Sequence, residues 1–414
     1  MILLLLALAQ QPSIELGPMV GHVAPEEARI WVKATAQAEF SVRCGEREDL
    51  SDARSSAGSA LEVASEFMGH ARIGGLQPAT RYHYQVVLNG KPHGPRGTFV
   101  TAPPPGTQGR LRFAFGSCVG KEGKDTEPAW ADMAGRSFDL LLMLGDNHYA
   151  DSTEPAKQRA AYYSHRAVPD YAAITRRTPT LGIWDDHDFG PNNSDRTAVG
   201  KELSLGTFTE FWANPGYGEE GNPGVYFRFS WGAVDFFMLD SRYHRTPNAT
   251  PEDGRKTMLG ERQVAWLKSG LAASTATFKV VACGSEWQTH TQPDCWKSFL
   301  RERDDIFRAI GEIPGLIFLS GDRHFTGGYQ INGRFLEITS GPLGSKNYPT
   351  KNLPEMFLNY GEGKLYTILE LDSAARVAVL EVYRAGTGLI ERRPFTWDEI
   401  NGAVRIPVLP QPAG

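Results

Sequence analysis

Residues 182–190, GIWDDHDFG, set three carboxylates and an imidazole in four consecutive positions, Asp185, Asp186, His187 and Asp188, directly behind an apolar run. Taken alone, this is a helix start with solvated carboxylates, since aspartate is favoured in a first turn. It has company. Polar clusters close five other apolar runs: Cys118 after FAFGS; Asp146, Asn147, His148 and Tyr149 after LLLMLG; Asp240 and Arg242 after VDFFML; Glu286 after VVACGS; and Asp322, Arg323 and His324 after LIFLSG. A Gly-Asp pair after a strand is ordinarily a turn, with glycine supplying positive φ and aspartate an Asx turn. Here LGDNHYAD and SGDRHF each carry further ligand-type side chains within two or three residues, which a plain turn does not need. So many carboxylates packed at one edge would repel one another and take up protons. A multivalent metal removes the conflict, because carboxylate, imidazole, phenolate and thiolate are the ligands that metals of intermediate hardness accept.

Such clusters need a scaffold that brings six run ends together. LRFAFGSC, FDLLLMLGD, TPTLGIWDD, VDFFMLDSR, FKVVACGSE and GLIFLSGDRH read as strands buried on both faces. Helical stretches lie between several of them, at 154–177, in LGERQVAWLKSGLAA and in WKSFLRERDDIFRAI. The alternation predicts a layered α/β fold, in which ligands bind beyond the carboxyl ends of the strands. GKLYTILEL and ARVAVLEVYR, within 361–410, are a predicted hairpin completing a second sheet, followed by a Pro-rich tail.

Residues 13–102 read differently. ARIWVKA, FSVRC, HARIGGL, RYHYQVVLNG and GTFVTA are short strands with turn signals between them, the pattern of a small all-β sandwich. GLQPATRYHYQV sets Leu76, Pro78, Thr80, Tyr82 and Tyr84 in an arrangement that resembles the tyrosine corner of fibronectin-like and immunoglobulin-like sandwiches. The connector TAPPPGTQG, 101–109, cannot continue a central strand and divides a domain at 12–105 from one at 106–414.

The 414 residues suffice for two or three domains. With 43 Lys and Arg against 48 Asp and Glu, the net charge of -5 supplies no field for nucleic acid or anionic membrane, and no nucleic-acid-binding domain is expected. MILLLLALA is too short to span a bilayer, and Ala7-Leu8-Ala9 has the small-x-small form of a signal-peptidase site, so residues 1–11 are expected to be a signal peptide and the protein exported. Four cysteines are few for a disulfide scaffold, with a Cys283–Cys295 pair left open. His22, His70, His83 and His93 fall in the sandwich and read as structural or exposed. No oligomeric state is signalled.

The ordered series FGSC, LGDNHYAD, WDDHDFGPN, LDSRYHR, TMLGERQVAWL and SGDRH, over about residues 110–345, resembles the alkaline phosphatase D (PhoD-like) metallophosphatases. The resemblance implies a metallophosphoesterase-like core of two sheets flanked by helices, preceded by the sandwich, and a phosphoesterase acting on monoesters or diesters. It implies a centre of iron(III) and calcium, with Cys118, Asp146, Tyr149, Asp185, Asp186, Asp322 and His324 in the metal positions. Tyr149 and Cys118 suit iron(III); calcium wants oxygens from Asp146, Asp186 and Asn192, and Asp146 is placed to bridge. Paired metals clamp phosphate oxygens and lower the pKa of an attacking water. His187 is the candidate to steady the transition state or protonate the leaving group, with Asp188 orienting its neighbours. Arg242 and Arg323 join His187 as candidate catalytic residues by contacting the phosphate, and Arg242, His148 and Asn192 are the candidate substrate contacts. Relatives commonly carry an apolar residue at the place of His148, and the segment VVACGSEWQTH departs from their pattern, which leaves Glu286 and Gln288 without assigned roles. Two alternatives stand beside this reading: a dinuclear manganese or zinc phosphodiesterase or nucleotidase, and a cell-surface binding protein with a vestigial metal site.

Overall fold

The computed structural model describes residues 11–348 and 350–410, so the expected signal peptide lies almost wholly outside the described residues. No helix among them is long and apolar enough to cross a membrane.

The N-terminal strands are β1 (Ile14–Val23), β2 (Glu27–Ala34), β3 (Ala38–Gly45), β4 (Arg54–Ser55), β5 (Ser59–Leu61), β6 (Met68–Gly74), β7 (Arg81–Leu88) and β8 (Lys91–Val100). They form two sheets, β1-β2-β6 and β4-β3-β7-β8, with β5 also pairing β3. Alternate residues such as Ile30, Val32, Phe40, Val42, Ile73, Tyr82 and Phe99 fill the space between them. The Tyr82 hydroxyl accepts from the Gln77 amide at 2.9 Å, which ties β7 to the turn before it as the sequence pattern predicts.

Beyond the connector come β9 (Arg110–Gly116), α1 (Glu127–Ala134), β10 (Leu140–Leu144), α2 (Pro155–Arg166), α3 (Pro169–Thr175), β11 (Thr180–Ile183), α4 (Asp186–Phe189), α5 (Lys201–Phe211), β12 (Phe227–Trp231), β13 (Val234–Met238), α6 (Glu261–Ala273), β14 (Phe278–Cys283), α7 (Leu300–Ile310), β15 (Leu316–Ser320), β16 (Thr326–Ile331), β17 (Phe335–Thr339), β18 (Met356–Tyr360), β19 (Leu365–Asp372), β20 (Val377–Arg384) and β21 (Gly388–Phe395). One sheet has the order β11-β10-β9-β19-β20-β21, the other β12-β13-β14-β15-β17-β16-β18. Strands β9 to β11 run parallel, as do β13, β14, β15 and β17.

The two sheets pack face to face. Phe113 of β9 meets Phe236 of β13 edge-on, with ring centroids 5.4 Å apart. The alternate residues Phe237, Val281 and Phe318 turn to the opposite face, where Leu267 and Leu271 of α6 and Ile306 and Phe307 of α7 cover them. This is why these strands read as continuous apolar runs: both faces are buried.

Two expectations change in the structure, and one open question closes. The hairpin β19–β20 completes the first sheet, pairing antiparallel with β9, rather than adding to the second. The stretch 154–177 is two helices, because Pro169 has no amide to donate and Val168 before it is held extended at ψ 120°. Cys283 and Cys295 are both buried free thiols, so that pairing is not made.

The sandwich is joined to the larger body by buried contacts. Met19 and Trp31 belong to the same apolar core as β9 and β10, the Trp31 indole N–H donates to Glu210 O at 2.8 Å, and Arg159 of α2 reaches Glu66 at 3.1 Å.

Candidate metal centre

Both sheets end at one seam. Gly321 lies so close to the first sheet that an added Cβ would stand 2.7 Å from Leu144 O and 2.8 Å from the Ser117 side chain; one at Gly284 would stand 2.7 Å from the Asp185 carboxyl. Glycine at these two places lets the loop after β15 and the loop after β14 approach the ends of β9, β10 and β11. The Gly321 amide then donates to Gly284 O at 2.9 Å, and the six run ends share one edge.

Cys118, Asp146 and Asp322 all hold left-handed backbone, with φ of 61°, 52° and 64°. Non-glycine residues in this region cost energy and persist where surrounding structure imposes them, commonly at functional sites. Each turns a ligand-type side chain back over its strand end.

Three overlapping groups gather there: Cys118, Asp146 and His324; Asp146, Asp186 and His187; and Asp185, Asp186 and Asp322, in each of which the ligand atoms lie within 4.8 Å of one another. Asp146 belongs to two of the three. The Tyr149 hydroxyl lies 3.0 Å from Asp146 Oδ2 and 3.2 Å from His324 Nε2, which adds a phenol to the first group. His324 donates its Nδ1–H to Lys346 O at 2.6 Å, which fixes the tautomer and leaves Nε2 as the ligand atom.

Charge makes the case for a cation. Burial, followed by Asp186 and Asp185, pushes Asp146 well above the usual carboxylate range. Asp322 is raised well above it too, chiefly by burial. The Cys118 thiol and the Tyr149 phenol are likewise driven well up, each by burial and then by Asp146. For Asp186, burial works upward, but Arg242 and then His187 outweigh it and hold this carboxyl below its ordinary value. Asp146 Oδ1 and Asp185 Oδ2 are buried with no hydrogen-bond partner among the described residues. Orphaned buried oxygens, crowded acids and an adjacent thiol and phenol are the donor set that a multivalent cation satisfies, and the residues fit such an ion.

Asp188 organises the backbone beneath. Its carboxyl accepts from the amides of Asp185 at 2.6 Å, Asp146 at 3.3 Å and Asn147 at 3.0 Å, and from the Asn147 side chain at 2.5 Å. It therefore ties the β10 turn to the start of α4. His187 donates Nδ1–H to Asp151 Oδ1 at 2.5 Å and stacks on Tyr149 with centroids 4.0 Å apart, so Nε2 is its remaining ring nitrogen.

The residues offered to phosphate by the sequence are not displayed together. Arg242 is wholly buried; it donates Nε–H to Asp185 Oδ1 at 2.6 Å and a terminal N–H to Asp294 Oδ2 at 2.9 Å. His148 is also wholly buried and packs edge-on against Tyr162 at 4.4 Å, with its pKa lowered to about 3, first by burial. Arg323 donates to Glu286 at 2.6 Å and pairs with Asp322 at 2.8 Å. Asn192 is exposed on the loop after α4, where the neighbouring Asn193 amide donates to Asp186 Oδ2 at 2.7 Å.

Glu286 and Gln288 gain roles: Glu286 accepts from Arg323, Gln288 and Thr291. Asp240 builds its own turn, accepting from the Arg242 and Tyr243 amides and from the Trp184 indole at 2.8 Å. Sequence reasoning missed Asp294, which also binds Arg245 at 2.6 Å, and Asp151, which holds His187. Asp151 closes the quoted motif LGDNHYAD and was within reach; Asp294, in the irregular segment QPDCW, carries no periodic signal.

Residues 113–394 match the family model of PhoD-like phosphatase, and residues 11–105 that of a domain of unknown function (DUF7800). Alkaline phosphatase D of Bacillus subtilis is 25% identical over 332 residues, covering 67% of this chain and 56% of the relative. Purple acid phosphatase 23 of Arabidopsis thaliana is 24% identical over 255 residues, covering 57% of this chain and 50% of that one. The chain thus spans about half the length of the curated relatives it matches. Among solved structures, PhoD superposes with a TM-score of 0.79 at 17% identity, over 92% of this chain and 90% of that one. The purple acid phosphatase PPD1 from yellow lupin seeds does so with 0.70 at 12% identity, over 94% and 76%. These likenesses give the fold: the two-sheet α/β core with a strand-rich N-terminal region.

Proposed function

Because the chain belongs to the PhoD-like phosphatase family, we propose that it is a metal-dependent phosphoesterase hydrolysing phosphate monoesters or diesters at the seam between its two sheets. The observation that carries this reading is the set of three overlapping ligand groups sharing Asp146 and Asp186. Two ions a few ångströms apart are the arrangement that such sharing suits.

We assign Cys118, Tyr149, Asp146 and His324 to iron(III), since a phenolate and a thiolate suit that ion. Asp146, with Asp185, Asp186 and Asp322, would hold a calcium ion, since oxygen donors predominate there. When bound, the metals supply Lewis-acid polarisation of the phosphate and a lowered pKa for the attacking water. The chain's own residues do the rest. His187, oriented by Asp151, offers Nε2 toward the reacting phosphate or its leaving group. Arg242 braces Asp185 and Asp294 from beneath rather than touching substrate, because its guanidinium is wholly buried and already spent. Asn192 is kept as an exposed candidate for calcium or substrate. Export through the apolar first residues belongs to the same reading.

The test is elemental analysis of the purified protein, with turnover of an aryl phosphate monoester and diester before and after chelation. Iron with calcium and chelator-sensitive turnover are expected. Manganese or zinc would favour the dinuclear alternative, and a metal-free protein that stays inert on adding metal would overturn the enzymatic reading.

A further inference from the structure

Helix α5 ends at Phe211, and the last carbonyls of a helix have no partner within it. Here donors from the sandwich meet them. Glu210 O accepts from the Trp31 indole N–H at 2.8 Å and from His70 Nε2–H at 3.0 Å. Just beyond the helix, Ala213 O accepts from the His22 amide at 2.8 Å, and Arg29 donates to Asn214 O and Pro215 O. All four residues lie on one sheet, β1-β2-β6, where Trp31 stands directly opposite His70. Ile30 and Ile73 of the same strands fill the sandwich core instead. The fit is close: a Cβ at Gly21 would stand 2.3 Å from Ala213 Cβ and 2.6 Å from Ala213 O.

From α5 the contacts lead on to the candidate centre. Arg166, at the end of α2, is buried with its guanidinium 5.3 Å from the Trp31 ring and 4.6 Å from the Trp212 ring, and it donates to Phe211 O at 3.3 Å. Arg159 of α2 reaches Glu66 of the sandwich at 3.1 Å and Glu210 of α5 at 2.6 Å. On the same helix Tyr162 stacks on Phe211 at 4.2 Å and packs against His148, while Gln158 donates to Asp188 O at 3.2 Å and to Ser204 Oγ at 3.0 Å. Asp188 in turn holds the amides of Asp146 and Asp185.

We propose that the N-terminal sandwich is an internal clamp on the candidate metal centre: its β1-β2-β6 sheet caps α5 and seats α2, and these helices hold Asp188 and through it the turns that carry Asp146 and Asp185. Trp31 is the positioning residue at the joint, because it caps α5 and covers Arg166 of α2 at once. This rests on the metal-centre reading above. It gives residues 11–105 a task within the chain, since the sheet face that a separate ligand would need is filled by α5 and the segment after it.

Three variants of the full chain test it. Gly21→Ala sets one methyl group against Ala213; Trp31→Phe keeps a ring beside Arg166 and removes the N–H; Glu39→Ala, exposed on β3 of the other sheet, is the control. Amide hydrogen exchange read by mass spectrometry, and metal retained in competition with a chelator, are measured on each. In Gly21→Ala, exchange is expected to rise in α5, α2 and residues 185–190 while β3 and β7 stay as in wild type, the mark of local rather than global opening. Metal affinity should fall about tenfold, the low end of the scale for an outer-shell partner. Turnover of an aryl phosphate should lose kcat more than it changes KM. Trp31→Phe should show the same pattern in smaller measure, and Glu39→Ala none of it. Exchange that rises in α5 alone, with α2, residues 185–190 and metal affinity as in wild type, overturns the clamp and leaves two domains merely attached. If Gly21→Ala unfolds throughout, Trp31→Phe decides the matter by the same two measurements. Wild-type protein that takes up no metal overturns the metal-centre reading, whereas exchange in α2 and residues 185–190 still decides whether the sandwich holds them.

Discussion

Replacing Arg242 with methionine keeps most of the side-chain volume and removes one charge from a place with no solvent. The guanidinium, fully buried, bonds Asp185 at 2.6 Å and Asp294 at 2.9 Å and comes within 3.9 Å of Asp186. Asp294 retains Arg245 and Asn248, each at 2.6 Å, so it keeps partners. Asp185 does not: it would be left with Ser241 at 3.2 Å and no cation of its own from the chain. Removing one member of a buried ion pair costs about 3–5 kcal/mol, because the other charge stays buried and unpaired. Since a single carboxylate is stranded and can take up a proton, the lower half of that range is expected, about 3–4 kcal/mol. Urea unfolding followed by tryptophan fluorescence measures this, with inhibition by inorganic phosphate measured in parallel on protein that remains folded. A large loss of stability is expected, with metal content falling in step as Asp185 is released. A variant within about 1 kcal/mol of wild type whose inhibition by phosphate is selectively weakened would refute it and return Arg242 to the substrate.

Cys118→Ala and Asp146→Ala should abolish hydrolysis and deplete metal while the N-terminal sandwich, whose own core is separate, stays folded; circular dichroism with elemental analysis checks both. Asp188→Asn sets an amide N–H₂ against donors that now meet a carboxyl, and should weaken metal retention against a chelator about 10–100-fold, the usual scale for an outer-shell partner. Asp151→Asn, by freeing His187, should lower kcat about tenfold or more for esters with poor leaving groups and less for activated aryl esters, read from steady-state kinetics. Burial holds the His22 pKa at about 4, against 6.5 when unfolded. The unfolded chain then binds the extra proton first, so the contribution of neutral His22 is full above about pH 6.5 and is lost as pH falls from there toward 4, by up to about 3 kcal/mol. His22→Leu should flatten the stability profile across that window in urea titrations at successive pH values.

The strand identities, the all-β start and the ligand-type residues at the strand ends were legible in the chain because each is local. Apolar runs closed by ligand-type residues state both a strand and its functional end, and Asp185 to Asp188 announce crowded acids wherever they fold. The tyrosine corner was equally readable, since Tyr82 and the Gln77 amide that it ties are five residues apart. What the chain alone left undecided depends on distance in sequence. That β19 would pair with β9 is a contact across some 250 residues, and alternation within a strand does not name its neighbour. Arg242 reads as a phosphate hook until Asp185 and Asp294, each more than 50 residues away, are seen to enclose it. His148, inside a ligand motif, turns instead to Tyr162. Residue type and spacing determined which groups arrive at the seam, because strand ends deliver them in order. Which of those groups face a metal, brace a carboxylate or meet solvent was decided only by the packing of two sheets face to face, since burial and pairing are properties of the neighbours and not of the residue.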